Sequence, residues 1–213
     1  MRTPNILPPT ELSDKVLAER FGRHPGPYMI GDSWQEDLDK IFPGIMKIPF
    51  DVSKIGQPTY GEMNESETEL SFRLVSWLEP RTLVEYGTLY GRGTKIMAEN
   101  SPQNARILTV DLPDEQRASG EPRYSSDTIF MRLNEVPVGS KYRDSPTSHK
   151  VKQVRMDTTS PEFARTLDDF LKGETIDFAL IDAAHDYDTT KALFELSLPR
   201  MSRGGIIMTG VNP

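Results

Sequence analysis

LVEYGTLYGRGTK, residues 83–95, joins an apolar run typical of a buried strand to a turn that carries three glycines within seven residues. Glycine lacks a Cβ atom, so the backbone can turn sharply there and approach a ligand closely. A helix is predicted to follow from Gly91 to about Asn100, and its N-terminal N–H groups would face an anion held in the turn. The stretch is either a cradle for a nucleotide-like cofactor or a tight turn that happens to be rich in glycine.

The spacing of the glycines distinguishes two kinds of cofactor. Gly87, Gly91 and Gly93 follow the pattern Gly-x3-Gly-x-Gly rather than the Gly-x-Gly-x-x-Gly of dinucleotide sites. Glu85, at the end of the strand, would repel a pyrophosphate but suits the ammonium group of a methionine moiety. Both features favour S-adenosylmethionine (SAM) over a nicotinamide or other nucleotide. The turn without any ligand stays open as the structural alternative.

The rest of the chain alternates predicted strands and helices, which is the pattern of an α/β fold. After the first strand at 82–86, further strands are predicted over 105–111, 151–157, 176–182 and 204–210. Ser66 and Glu69 have the spacing of a capping box for the helix before the first strand. Ser160 is predicted to cap the helix after the third strand, with Pro161 at the first helical position. The alternation predicts a parallel sheet with right-handed crossovers.

Acidic residues end four of the predicted strands, namely Glu85, Asp111, Asp157 and Asp182. Ligands of open parallel sheets bind beyond the carboxyl ends of the strands, where these carboxylates would share one crevice. Asp111 follows Gly87 by 24 residues and is predicted to accept hydrogen bonds from ribose hydroxyls, as acids at this place do in nucleotide-binding α/β sites. A loop or helix-capping aspartate is the alternative.

The length and charge of the chain limit its organisation and its partners. The 213 residues suffice for one domain, predicted at 61–213 with a long insert at 112–149 and preceded by a proline-rich arm or lid at 1–60. Short helices are predicted in this arm near 11–20 and 33–41. The net charge of −7 argues against nucleic-acid binding, and no apolar run is long enough to cross a membrane. Because the chain has no cysteine, disulfides and thiolate metal sites are excluded, and a cytoplasmic location is expected.

Four segments together resemble the class I SAM-dependent methyltransferases: VEYGTLYGRGT (84–94), ILTVDLP (107–113), VRMDTTS (154–160) and FALIDAAHDYDTTKALFELSLPRMSRGGIIM (178–208). Over about residues 66–210 the chain is most similar to the cephalosporin-hydroxylase-like group labelled methyltransferase family 24. The resemblance implies a Rossmann-like, mostly parallel sheet of order 3-2-1-4-5, flanked by helices. The sixth and seventh strands of that fold have no counterpart before Pro213. Unless the sequence is truncated there, we expect the N-terminal arm or a second copy of the chain to cover the fifth strand.

The same resemblance implies a cofactor site. It places the methionine moiety of SAM against Glu85, Gly87, Gly91, Gly93 and Thr94, the ribose at Asp111, and the adenine edge at Asp157 and Thr158, with Thr88 and Leu112 as adjoining members of the site. As an alternative, Asp157 caps the helix that follows it.

The segment LIDAAHDYD, residues 180–188, carries the candidate catalytic residues. His185 is interpreted as the general base that takes the proton of a hydroxyl acceptor, or as a residue that orients the acceptor. A hydrogen-bonded loop histidine is the alternative. By resemblance to metal-dependent O-methyltransferases, Asp182 would bind Mg²⁺ as a second cofactor. The acid expected after the fifth strand is missing, with only Asn212 nearby, so a structural or substrate-facing role is the alternative for Asp182.

Together these interpretations predict a transferase, a SAM-dependent methyltransferase that acts on an oxygen atom of a small molecule such as a natural product or a sugar-like acceptor. The insert at 112–149 would then be a lid or substrate loop, or else a solvated surface. The alternative function is a non-catalytic SAM-fold protein that serves binding or assembly, because the last strands and the expected acid are missing.

Overall fold

The computed structural model describes residues 34–51, 55–58, 61–113, 137–183 and 186–209. Contacts divide the chain into two units, residues 1–47 and 48–213. In the first unit, helix α1 (Trp34–Ile41) confirms the helix predicted near 33–41 and is followed by a 3-10 turn. The Asp39 side chain closes this turn by accepting hydrogen bonds from the N–H groups of Gly44 and Met46. The helix predicted near 11–20 lies outside the described residues.

The second unit is built on a five-stranded parallel sheet. Its strands are β1 (Thr82–Tyr86), β2 (Arg106–Asp111), β3 (Val151–Arg155), β4 (Ile176–Ile181) and β5 (Met201–Thr209). Among the described strands the order is β3-β2-β1-β4-β5, which confirms the predicted order and fold class. The central strand β1 is buried along its whole length, as expected for a strand covered on both faces.

Five helices of the described chain accompany this sheet: α2 (Glu65–Leu78), α3 (Arg92–Asn100), α4 (Ser140–Arg143), α5 (Pro161–Leu171) and α6 (Tyr187–Ser197). The predicted start of α5, with Ser160 as N-cap and Pro161 at the first position, is confirmed. The capping box predicted at Ser66 is wrong, because Asn64 caps α2 together with Glu67. The Asn64 side chain accepts from the Glu67 N–H, and the Glu67 carboxylate accepts from the Asn64 N–H.

The two faces of β1 meet different surroundings, because side chains alternate along a strand. Val84 and Tyr86 belong to a buried apolar cluster that includes residues of β2, α5 and α6. The Tyr86 ring packs edge-to-face on Phe163 with centroids 5.9 Å apart, and its hydroxyl bonds to the Ser197 hydroxyl at 2.7 Å. Glu85, on the other face, points toward α3. This apolar packing therefore holds β1 in place and directs its one acidic side chain to the opposite layer.

β3 and β5 form the edges of the described sheet. The expectation that the arm or a second copy covers the β5 edge stays a prediction. Among the residues that the structure describes, no helix combines the length and the apolar character needed to cross a membrane.

Candidate functional site

The carboxyl ends of β1, β2 and β4 meet at the start of a turn that we call the glycine loop, residues 87–91. The N–H of Gly87 donates to the Val110 carbonyl at 2.9 Å, and the N–H of Asp182 donates to the Tyr86 carbonyl at 2.8 Å. Gly87 has φ +95°, and a Cβ atom there would overlap the carbonyl oxygen of Asp182. Only glycine fits at this position, for both its backbone angle and its surroundings.

The other two glycines also face groups of the protein itself. A Cβ at Gly91, which has φ +91°, would lie 2.7 Å from the Tyr142 ring. A Cβ at Gly93 would overlap a carboxyl oxygen of Glu85 and come within 3.0 Å of the Leu180 side chain. Internal packing thus accounts for all three glycines, and their spacing does not by itself indicate a ligand.

The start of α3 nevertheless has the properties of an anion site. Its N-cap residue is Gly91, so no side chain caps the N–H groups of the first helical turn. These groups carry the positive end of the helix dipole and lie next to the glycine loop.

Asp111 is the last residue of β2 and is bound to the glycine loop. Its Oδ2 accepts from the Leu89 N–H at 2.7 Å, and its Oδ1 accepts from the N–H of the half-exposed Leu112 at 2.8 Å. Hydrogen bonds to an ionised carboxylate are stronger than neutral ones, so this contact orients both the loop and the acid. The structure therefore brings together the strand-end acid and the glycine loop that the sequence predicted as parts of one site.

Asp157 and Thr158 lie two and three residues beyond the end of β3, whereas the predicted strand extended to Asp157. The Asp157 side chain accepts from the N–H and the hydroxyl of Thr159, at 2.8 and 2.7 Å. Its carbonyl accepts from the Ser160 hydroxyl. These contacts shape the turn before α5, whose N-cap is Ser160 rather than Asp157, and the adenine role stays a prediction.

Glu85 lies beneath the glycine loop and is 1% exposed. Its Oε2 accepts from the hydroxyls of Thr109, at 2.5 Å, and Thr94. The Thr109 hydroxyl also bonds to Thr88 in the glycine loop at 2.6 Å. We call Thr88, Thr94 and Thr109 the threonine cluster; it connects Glu85 to the loop, to α3 and to β2.

Burial raises the pKa of Glu85 to about 8, against the smaller opposing effect of the hydrogen bonds from Thr109 and Thr94. The nearby carboxylates of Asp182 and Asp111 contribute to this raised pKa. Glu85 is therefore mostly protonated at neutral pH and is a neutral hydrogen-bonded group in the interior of the domain. The sequence interpretation, in which it is an ionised residue beside the ligand, did not anticipate this state.

A second missed feature lies at the end of the predicted insert. The N–H of Gly139 donates to the Leu89 carbonyl at 2.8 Å, and the N–H of Lys141 donates to the Tyr90 carbonyl at 2.8 Å. The Lys141 ammonium group also pairs with the buried carboxylate of Glu62. Residues 139–142, which we call the strap, thus hold the outer side of the glycine loop. No local pattern in the sequence marks these contacts, which join residues about 50 positions apart.

Asp182 follows β4 directly, at the same edge of the sheet as Asp111 and Glu85. His185 and Asn212 lie outside the described residues. Within the described ranges, no three His, Asp or Glu side chains are grouped closely enough to hold a metal ion. The predicted Mg²⁺ site accordingly has no support from the described part of the chain.

Comparison with known proteins confirms the resemblance. A family model described as a methyltransferase domain matches residues 84–209. No curated protein matches the sequence at a significant level. The fold is similar to that of an O-methyltransferase from Bacillus cereus in complex with S-adenosylhomocysteine (SAH), with a TM-score of 0.50 and 18% identity over 82% of this chain and 70% of that one.

Two further solved structures have the same fold. The O-methyltransferase TomG from Streptomyces achromogenes, in complex with SAM, gives a TM-score of 0.54 and 17% identity over 82% of this chain and 73% of that one. The SAH-bound methyltransferase PaMTH1 from Podospora anserina gives a TM-score of 0.50 and 16% identity over 86% of this chain and 72% of that one. At such identities the similarity establishes the fold alone.

We predict that Gly87→Ala destabilises the protein far more than Gly173→Ala. Gly173 also has positive φ, at +84°, but has open space around its Cβ position. Gly173→Ala should cost about 1–2 kcal/mol for the left-handed backbone. Gly87→Ala should cost at least about 2 kcal/mol more, because the Asp182 carbonyl must also move. Urea denaturation of both variants checks this, and equal losses would contradict the overlap.

We predict that Glu85 makes stability fall with rising pH. Its folded-state pKa of about 8 lies above the ordinary 4.5, so its contribution is fully present below pH 4.5 and is lost as pH rises through 8. Between these values the free energy of unfolding of the wild type should fall, relative to Glu85→Gln, by about 1.4 kcal/mol per pH unit. Denaturation at several pH values measures this slope. Asp169→Asn, a substitution at an exposed position that keeps Glu85, serves as the control for the effect of removing a carboxyl.

Proposed function

The chain belongs to the methyltransferase domain family, and we propose that it is a SAM-dependent methyltransferase acting on an oxygen atom of a small molecule. The observation that supports this most is the bond between the strand-end carboxylate of Asp111 and the Leu89 N–H. It sets an acid suited to ribose hydroxyls beside an uncapped helix start suited to a carboxylate. SAM carries both groups. Two of the similar structures named above, from Bacillus cereus and Streptomyces achromogenes, are described as O-methyltransferases and further support this choice of reaction.

SAM, when bound, supplies a methyl group on a sulfonium ion. In the proposed arrangement its carboxylate lies at the N-terminus of α3, and Asp111 with Leu112 receives the ribose. Asp157 and Thr158 border the adenine. Gly87, Gly91 and the threonine cluster hold the loop in shape, and the strap fixes it from outside. The protein thus orients the cofactor before an acceptor arrives, which is the main contribution that an in-line transfer requires.

The proposed acceptor side lies beyond the end of β4. There His185 takes the proton of the acceptor hydroxyl as the oxygen attacks, and Asp182 faces the acceptor or supports the crevice. A base with a pKa near neutrality suits this step. The insert that leads into the strap is proposed to border the acceptor, whose hydroxyl belongs to a natural product or a sugar-like molecule.

A second candidate function is a binding or assembly protein with the same fold. It is favoured by one observation, that the protein's own groups occupy the space beside all three glycines. In such a protein the glycine loop would be a packed turn. Cofactor binding and turnover distinguish the two functions.

Titration calorimetry with SAH is the experiment that tests the proposed function. The wild type should bind SAH in the micromolar range and should not bind NAD. Asp111→Asn should weaken SAH binding at least tenfold, because an amide loses charge-assisted bonds to the ribose, worth about 1.5–3 kcal/mol each. The exposed Asp169→Asn is the matched control and should bind like wild type. A folded protein that binds no SAH would leave the binding or assembly function as the better one.

His185→Ala should lower methyl transfer by about 100-fold or more while leaving the SAH dissociation constant within twofold. The measurement is SAH production from SAM with a panel of phenols and sugars as acceptors. The matched control is His149→Ala, since His149 is exposed and bonds to Gln103 and Pro146 outside the crevice. Unchanged turnover in His185→Ala would rule out the proposed base.

A further inference from the structure

Glu85 has the surroundings of a group that lacks its cation. Its carboxyl is buried, and none of the described residues provides a Lys, Arg or His partner for it. The threonine cluster donates hydroxyl hydrogen bonds to one carboxyl oxygen, and such bonds favour the ionised form. The site is therefore prepared to stabilise a carboxylate once a positive charge arrives.

Among the described residues, the titratable groups that interact with Glu85 are all acidic. They come from each element at this edge of the sheet: Asp111 from β2, Asp182 from β4 and Tyr142 from the strap. From α3, the uncharged Thr94 donates its hydroxyl to the Glu85 carboxyl, and Gly93 lies against the other carboxyl oxygen. Among the described residues, the charged groups that act on this carboxyl are acids, and a cationic ligand would offset them.

We propose that the ammonium group of the cofactor's methionine moiety displaces a proton from Glu85, so that cofactor binding and proton release are one linked event. This inference rests on the proposed function, because it requires SAM or SAH in the glycine loop. The O–H bond of the carboxyl breaks, its proton passes to solvent, and the carboxylate stays in its hydrogen bonds with the threonine cluster. No other bond changes.

Only a short distance separates Glu85 from the loop that would hold the methionine moiety. The carboxyl contacts Gly93 at the start of α3, and Thr109 connects it to Thr88 within the loop. A cation within about 4–6 Å of a carboxyl lowers its pKa by about 1–3 units. From a pKa of about 8, such a decrease changes Glu85 at pH 7 from mostly protonated to between half and almost fully ionised.

The test is calorimetry of the wild-type protein at pH 7 in buffers of different ionisation enthalpy, such as phosphate, HEPES and Tris. The dependence of the binding heat on the buffer gives the number of protons released. SAH carries the ammonium group, whereas 5′-methylthioadenosine has the same nucleoside and sulfur without the amino-acid part. We expect release of about 0.5–1 proton with SAH and none with methylthioadenosine.

Glu85→Gln imitates the protonated carboxyl in shape and cannot release a proton. The heat of SAH binding to this variant should not depend on the buffer. Its SAH affinity should be independent of pH between 6 and 7.5, whereas the affinity of the wild type should increase with pH over that range. SAH binding to the wild type without proton release overturns the inference, and so does equal release by the variant. If Glu85→Gln does not fold, the inference is decided by the wild type alone, from the difference in proton release between SAH and methylthioadenosine. No binding of either ligand contradicts the proposed function itself.

Discussion

Two backbone hydrogen bonds at the end of β1 set the geometry on which the rest of the crevice depends. The Gly87 N–H donates to a carbonyl of β2, and the Tyr86 carbonyl accepts from the N–H of the residue after β4. The chain therefore leaves the central strand between two backbone segments, one on each side. No side chain fits in this gap. The loop must therefore turn immediately, and α3 must begin within a few residues, next to the acids that end the neighbouring strands. The site is a result of how three parallel strands end together.

The buried carboxyl under this turn has a cost that its neighbours reduce. A polar group inside a domain destabilises it unless hydrogen bonds replace those with water. Thr94 and Thr109 provide these bonds, and protonation removes the larger cost of a buried charge. An apolar residue at 85 would pack more simply. A buried acid held by two hydroxyl groups is the arrangement that the proposed role toward the cofactor requires at this position.

The sequence predicted the sheet well because strand and helix signals are local. Apolar runs, the Ser160–Pro161 helix start and the acids at strand ends gave the order of elements and the edge where a site would form. What it missed depends on contacts between distant parts of the chain. Thr109 becomes a partner of Glu85 only through the register of β2 on β1, although a hydroxyl inside the run ILTVD was a visible signal.

The strap could not be predicted, because its bonds to the loop join residues about 50 positions apart and follow no local pattern. The glycines show a different limit. Their positions were correctly associated with a special turn, but the sequence could not tell whether a ligand or the protein itself occupies the adjacent space. The capping box was predicted two residues too late, because Asn64 with Glu67 and Ser66 with Glu69 have the same spacing. The structure contains the box formed by Asn64 and Glu67.

Leu89 is bonded from both directions: its N–H donates to Asp111, where the segment after β2 begins, and its carbonyl accepts from Gly139, where the strap begins. The two ends of the intervening chain are thus fastened to a single residue of the loop. The entropy of closing such a segment depends only weakly on its length. Insertions, deletions or exchanged sequences between these ends can therefore be accepted with little change in the loop itself. This arrangement would let evolution, or an engineer grafting segments from relatives, vary the acceptor side while the cofactor side is inherited unchanged.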